Sequence, residues 1–94
     1  MKRFKFKTPA VVTAGINEKM QQDFRFYQFC TDSLYLHFSG NFGDICAEDA
    51  ELSEYGIKHR ERVFSAYVDD HDIKIWIITD AGHDVTTILF PSEY

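Results

Sequence analysis

Two hydrophobic rhythms divide the chain. Over residues 18–38, Met20, Phe24, Tyr27, Leu34 and Phe38 recur at helical spacing, and Phe26, Phe29, Cys30 and Leu36 widen the stripe. Asn17 suits the N-cap, and Ser39-Gly40 stands where a left-handed C-cap is expected. The stripe is wide enough to cover a sheet, so it reads as core, with surplus aromatics left for a partner or a second copy. A shorter helix is expected over 45–57. Asp44 would cap it, Ile45, Leu52 and Tyr55 give it one modest apolar face, and Lys58, His59 and Arg60 suit its negative pole.

From residue 62 the period changes to two. "RVFSAYV", "IKIWIIT" and "VTTILF" are short runs rich in β-branched and aromatic residues, separated by "DDHD" and "DAGHD". Connections this short force antiparallel neighbours, so the last third predicts a three-stranded meander. Its middle run carries Ile73, Ile75 and Ile77 on one face and Trp76 and Ile78 on the other. Such a strand wants cover on both sides: the first helix on one, the second helix or another chain on the other. At the start, "RFKFK" alternates Phe4 and Phe6 with Arg3, Lys5 and Lys7. It reads as a first strand with one wet face whose lysines discourage edge pairing, or, as the sharper alternative, a basic aromatic platform for single-stranded nucleic acid. "AVVTAGI" continues as a more buried extended stretch closing at Gly15. The expected fold class is α+β: one antiparallel sheet with a C-terminal three-stranded meander, an N-terminal strand and two helices, in a single domain over residues 1–94.

Composition adds three limits. The 94 residues are enough for one core, and nine Phe, five Tyr and one Trp can fill it without disulfides. No apolar run approaches the roughly 20 residues that span a bilayer, and "MKRFKFKT" lacks the apolar region of a secretory signal. A cytoplasmic location with reduced Cys30 and Cys46 is therefore expected. Residues 1–7 hold four of the ten bases and none of the fifteen acids, leaving six bases against fifteen acids, a net of −9, over residues 8–94. Such a body repels phosphates, so direct nucleic-acid binding is not expected.

The acids concentrate in "GDICAEDAELSE" (43–54), with five and no base. As an EF-hand loop from Asp44 it fails, because Cys46, Asp49 and Tyr55 stand at positions 3, 6 and 12. His37, His59, His71 and His83 form no paired zinc motif with the two cysteines. Cys46, near a helix N-terminus, is a weak nucleophile candidate, because Asp44, Glu48 and Asp49 would raise its pKa; a small buried hydrophobe is the simpler role. No P-loop, dinucleotide fingerprint or nucleophile elbow is present. No enzyme, metal or cofactor is expected. One or two acids satisfy a helix cap, and five exceed it. Asp44, Glu48, Asp49, Glu51 and Glu54 are therefore expected to join Asp69, Asp70 and Asp72 in a negative face that meets a basic protein partner.

"NFGDICAEDAELSE", "RVFSAYV" and "KIWIITDAGHDVTTILFPSEY" together resemble the small plasmid-related proteins carried by bacterial plasmids, conjugative elements and phages. That family's pattern is similar to W-G-D-x-C-x-E-D, then S-A-Y, then K-I-W-I-I-T-E-A-D-R-S-x-T-T-x-L-F-P-x-E-Y. Gly43, Asp44, Cys46, Glu48 and Asp49 match the first block, and Ser65, Ala66 and Tyr67 the second. Lys74 to Thr79, Thr86, Thr87, Leu89, Phe90, Pro91, Glu93 and Tyr94 match the third, while "VVTAGIN" resembles the family's short N-terminal strand. Phe42 replaces the Trp, Asp80 the Glu, and Gly82-His83-Asp84 the D-R-S turn, so any role of that Arg is absent. The resemblance implies a mobile-element setting and carries over no catalytic residue. Combined with the charge, it suggests a counter-defence inhibitor, anti-CRISPR or anti-restriction, that binds a basic nuclease or CRISPR effector. The alternative is a self-associating accessory or regulatory protein, a homodimer through the surplus aromatics or the exposed sheet face, with no inhibitory role.

Overall fold

The computed structural model describes residues 4–94. Its elements are β1 (Ala10–Val12), α1 (Ala14–Gln22), α2 (Phe24–Phe38), α3 (Ala47–His59), β2 (Val63–Val68), β3 (Lys74–Thr79), β4 (Thr86–Leu89) and a closing 3-10 turn, Pro91–Glu93. The class is α+β, as the sequence predicts. The meander is present: β2 pairs antiparallel with β3, and β3 with β4.

Three expectations need correction. The sheet is mixed, because β1 lies parallel to β4 in the order β1-β4-β3-β2. The chain leaves β1, traverses all three helices and the meander, and returns beside its own start.

The single helix over 18–38 is two. Asp23 leaves helical geometry (φ −143°, ψ 104°), and its carboxylate accepts from the Arg25 amide at 3.0 Å and the Phe26 amide at 3.2 Å, capping α2. Thr13, not Asn17, caps α1. The break changes which side chains face inward. The buried stripe of α2 is Phe26, Cys30, Ser33, His37 and Phe38, whereas Phe24 is 72% exposed and Tyr27 projects outward beside it. The C-terminal end is as expected, with Ser39 at the C-cap and Gly40 at φ +83°.

No strand forms over the described residues of "RFKFK"; the N-terminal strand is β1, inside the extended stretch expected at "AVVTAGI", although it is largely exposed rather than buried and α1 already begins at Ala14. Arg3 lies outside the described residues. Phe4 and Phe6 pack as a plug against the end of α2, with ring centroids 5.0 Å (Phe4–Tyr35) and 5.2 Å (Phe6–Phe38) apart. Phe4 remains 41% exposed, and Phe6 is half-buried.

One sheet face carries Tyr67, Ile75, Ile77 and Ile88 against Ile16, Phe26 and Cys30, and this is the core. Each fully buried isoleucine there contributes about 2 kcal/mol. The other face, with Phe64, Trp76, Ile78 and Leu89, has no helix laid across it. α3 runs along the outer edge of β2. Ser53 Oγ donates to the Phe64 carbonyl (2.7 Å) and accepts from its amide (3.0 Å), in place of a fifth strand. Farther along, the Ala66 amide donates to the Phe42 carbonyl and the Asp44 amide to the Ala66 carbonyl. Gly43, at φ +71°, permits this approach, since a Cβ there would lie 2.1 Å from the Ala66 oxygen.

Candidate functional site

α3 begins at Ala47, with Cys46 at its N-cap and no side-chain cap bond. Asp44 is therefore not the cap; its side chain is free at the surface and only its amide is tied to the sheet edge. Cys46 is exposed, which corrects the expectation of a small buried hydrophobe. Cys30 fills that role, and burial, with the Asp69 charge, pushes its thiol up to about 12.

The eight acids do not form one face. Glu48 and Asp49 stand in the first turn of α3, where they favour the positive pole. Asp49 also borders a groove between α3 and the sheet, with Leu52, Arg62 and Phe64. Glu51 and Glu54 border a shallow depression on α3 beside Lys58 and His59, and Glu54 is paired with Lys5 at 3.6 Å. Asp69 organises the β2–β3 turn, its carboxylate accepting from the amides of His71 (2.9 Å) and Ile73 (2.8 Å). Asp72 holds the left-handed position of that turn (φ 61°).

Asp44, Asp69 and Asp70 do come together, around two adjoining grooves between α2 and the end of β2. The grooves share Phe29 and Asp32. Phe29, Leu36, Tyr67 and Val68 form an apolar floor; Asp32, Asp44, Asp69 and Asp70 form the rim, with Arg25 the basic member. Asp32 was missed by the sequence reading. Its signal was the helical spacing of Phe29, Asp32, Ser33 and Leu36, one flank of α2 that borders the core stripe.

A second constellation looks like chemistry and is structure. Ser65 Oγ and His37 Nδ1 are in hydrogen-bond contact, His37 Nε2 lies 2.8 Å from Thr79 Oγ1, Thr79 lies 2.6 Å from Thr86, and Thr86 lies 2.6 Å from Thr8. Thr8 donates to the Pro9 carbonyl, which has no hydrogen to give, and that fixes every other direction. Thr86 donates to Thr8, Thr79 to Thr86, His37 Nε2–H to Thr79, and Ser65 to the His37 Nδ1 lone pair. The chain requires the neutral Nε2–H tautomer. Burial, reinforced by His83, lowers the His37 pKa to about 3. The Ser65–His37 contact has the form of a nucleophile and its base, but both side chains are 0% exposed, so no substrate reaches them.

Among the described residues no group of three or more His, Cys, Asp or Glu is placed to hold a metal, and no helix is long and apolar enough to cross a membrane. No family model, curated protein or solved structure matches this chain.

Proposed function

We propose that this chain is a non-catalytic binding protein whose acidic trough, between α2 and the end of β2, receives a basic segment of a protein partner. The observation that carries this reading is the union of four carboxylates, Asp32, Asp44, Asp69 and Asp70, around an apolar floor of Phe29, Leu36, Tyr67 and Val68. Apolar floors supply affinity, and charged rims supply orientation and partner choice. The resemblance to plasmid-related proteins supports a mobile-element setting, and there the partner class is a cytoplasmic nuclease or CRISPR effector with a basic nucleic-acid channel. The protein then acts as an anti-restriction or anti-CRISPR inhibitor by occupying that channel.

The test is inhibition of purified restriction enzymes and CRISPR effector complexes, measured as loss of DNA binding and cleavage. The triple variant Asp32→Lys, Asp44→Lys, Asp70→Lys keeps Asp69 in its turn, so its circular dichroism and melting should match the parent. It should lose inhibition by tenfold or more. A parent protein that inhibits no such effector, or a variant that inhibits equally, removes the proposal. The alternative of a self-associating accessory protein without inhibitory role is favoured by the exposed Phe24, Tyr27, Leu52 and Tyr55.

A further inference from the structure

Strand alternation places Phe64 on β2, Trp76 and Ile78 on β3 and Leu89 on β4 on the sheet face opposite the core. No α-helix crosses this face, but it is partly covered: Ile78 and Leu89 are 6% exposed, Phe64 and Trp76 are half-buried, and Tyr94 folds back onto Trp76. Phe64 and Trp76 meet edge-to-face at 5.4 Å, and Trp76 and Tyr94 at 5.6 Å, so three rings run in a row across the sheet. The row ends in exposed apolar side chains: Tyr94 is 76% exposed, and Leu52, across the groove from Phe64, is 67% exposed. The Arg62 guanidinium sits 5.6 Å from the Phe64 ring and 5.9 Å from the Tyr94 ring. Among the described residues its polar contact is long, 3.5 Å to Tyr94 Oη. Among the described residues no carboxylate lies within 4.0 Å of it, although Asp49, Glu61 and Asp80 border the same grooves.

Charge decides what this face accepts. A basic partner would meet Arg62 and Lys74, which share the face, and is better served by the acidic trough. An isologous contact needs both signs on one patch, since each copy offers the other the same surface. This patch has them, with Arg62 and Lys74 against Asp49, Glu61 and Asp80. The trough, with four acids and Arg25, would repel its own copy.

We propose that the chain pairs with a second copy of itself through this aromatic face, on a two-fold axis that brings Arg62 of each copy to Glu61 and Asp80 of the other. This does not depend on the trough or on its partner.

Sedimentation of the full chain from about 1 μM to about 1 mM tests it. A monomer–dimer equilibrium is expected. Trp76 is the sole tryptophan, so its emission should shift to the blue in step with dimer formation. Leu52→Glu with Tyr94→Glu, and separately Arg62→Glu, should weaken pairing at least tenfold with circular dichroism unchanged. Mixing Arg62→Glu with the double variant Glu61→Arg, Asp80→Arg should restore mixed pairs. A strict monomer overturns the proposal. So does a dimer that ignores these variants and dissociates on Phe24→Glu with Tyr27→Glu, which would place the contact on α2.

Discussion

His37 shows how one side chain can knit a fold together. Its ring bonds Ser65 on β2 and Thr79 on β3 from α2, and the hydroxyls of Thr86 and Thr8 extend the line to the segment ahead of β1. Because the folded pKa is near 3 and an unfolded histidine titrates near 6.5, the unfolded state binds the extra proton between those values. Stability is therefore complete above about pH 6.5 and falls as pH drops toward 3, at up to about 1.4 kcal/mol per pH unit. Glu93 adds to acid sensitivity only lower down. Its bonds from Thr13, Phe90 and Gly15 depress its pKa, so its contribution is present above its ordinary value of 4.5 and is lost as pH falls through the depressed one. Urea unfolding between pH 7 and pH 5 thus reads the His37 dependence above the range where Glu93 acts. His37→Gln can keep one donor and one acceptor without titrating and should flatten the slope. His37→Ala should cost about 3–5 kcal/mol at pH 7 by stranding buried hydroxyls beside a cavity. An unchanged slope in His37→Gln would exclude this source. None of this line was legible in the sequence, because Thr8 and Thr86 are 78 residues apart and hydroxyls carry no periodic signal.

The elements were more legible than their seams. β2, β3 and β4 followed from alternation and short turns, and α3 from its apolar face and end charges although not from the cap expected at Asp44, within two residues at each end. The α1–α2 break was hidden because Met20, Phe24 and Tyr27 keep helical spacing across Asp23, and the apolar rule cannot see that the true inner stripe passes through Ser33 and His37. β1 was short, and its parallel partner lies at the far end of the chain. The β2 edge was equally hidden, since its seal is a serine side chain and a close approach. Gly56 lies so near the strand's lead-in that a Cβ would sit 2.2 Å from the Arg62 carbonyl. Gly56→Ala should therefore push α3 off the edge and cost about 2–3 kcal/mol. Ser53→Ala should cost about 1–3 kcal/mol by leaving the Phe64 amide and carbonyl unpaired. Amide exchange is the direct readout: the Phe64 proton should lose protection in both variants while Ile77, central in β3, retains it. Equal loss at both sites would mean that α3 does not guard this edge locally.

At the scale of the whole molecule, the two surfaces should answer salt with opposite signs. The expected negative face disperses: Glu51 and Glu54 lie on α3, with Glu54 partly answered by Lys5, Glu48 and Asp49 stand in its first turn with Asp49 bordering the groove beside the sheet, Asp72 sits in the β2–β3 turn, and Asp44, Asp69 and Asp70 join Asp32 in the trough. The trough sets four acids against a single base, Arg25, and attraction to a basic partner weakens as counterions screen it, the Debye length falling from about 10 Å at 0.1 M to about 3 Å at 1 M. The aromatic face works against a different background. Two copies each carrying −5 repel at long range, while their contact is apolar with a few ion pairs at its rim. Screening removes the repulsion and leaves the apolar term intact. Raising sodium chloride from about 50 mM to about 500 mM should weaken inhibition of a basic effector tenfold or more and tighten self-association severalfold. Sedimentation and inhibition assays on one preparation measure both. If the two constants move together, the division of labour between trough and sheet face is wrong, and a single surface serves both contacts.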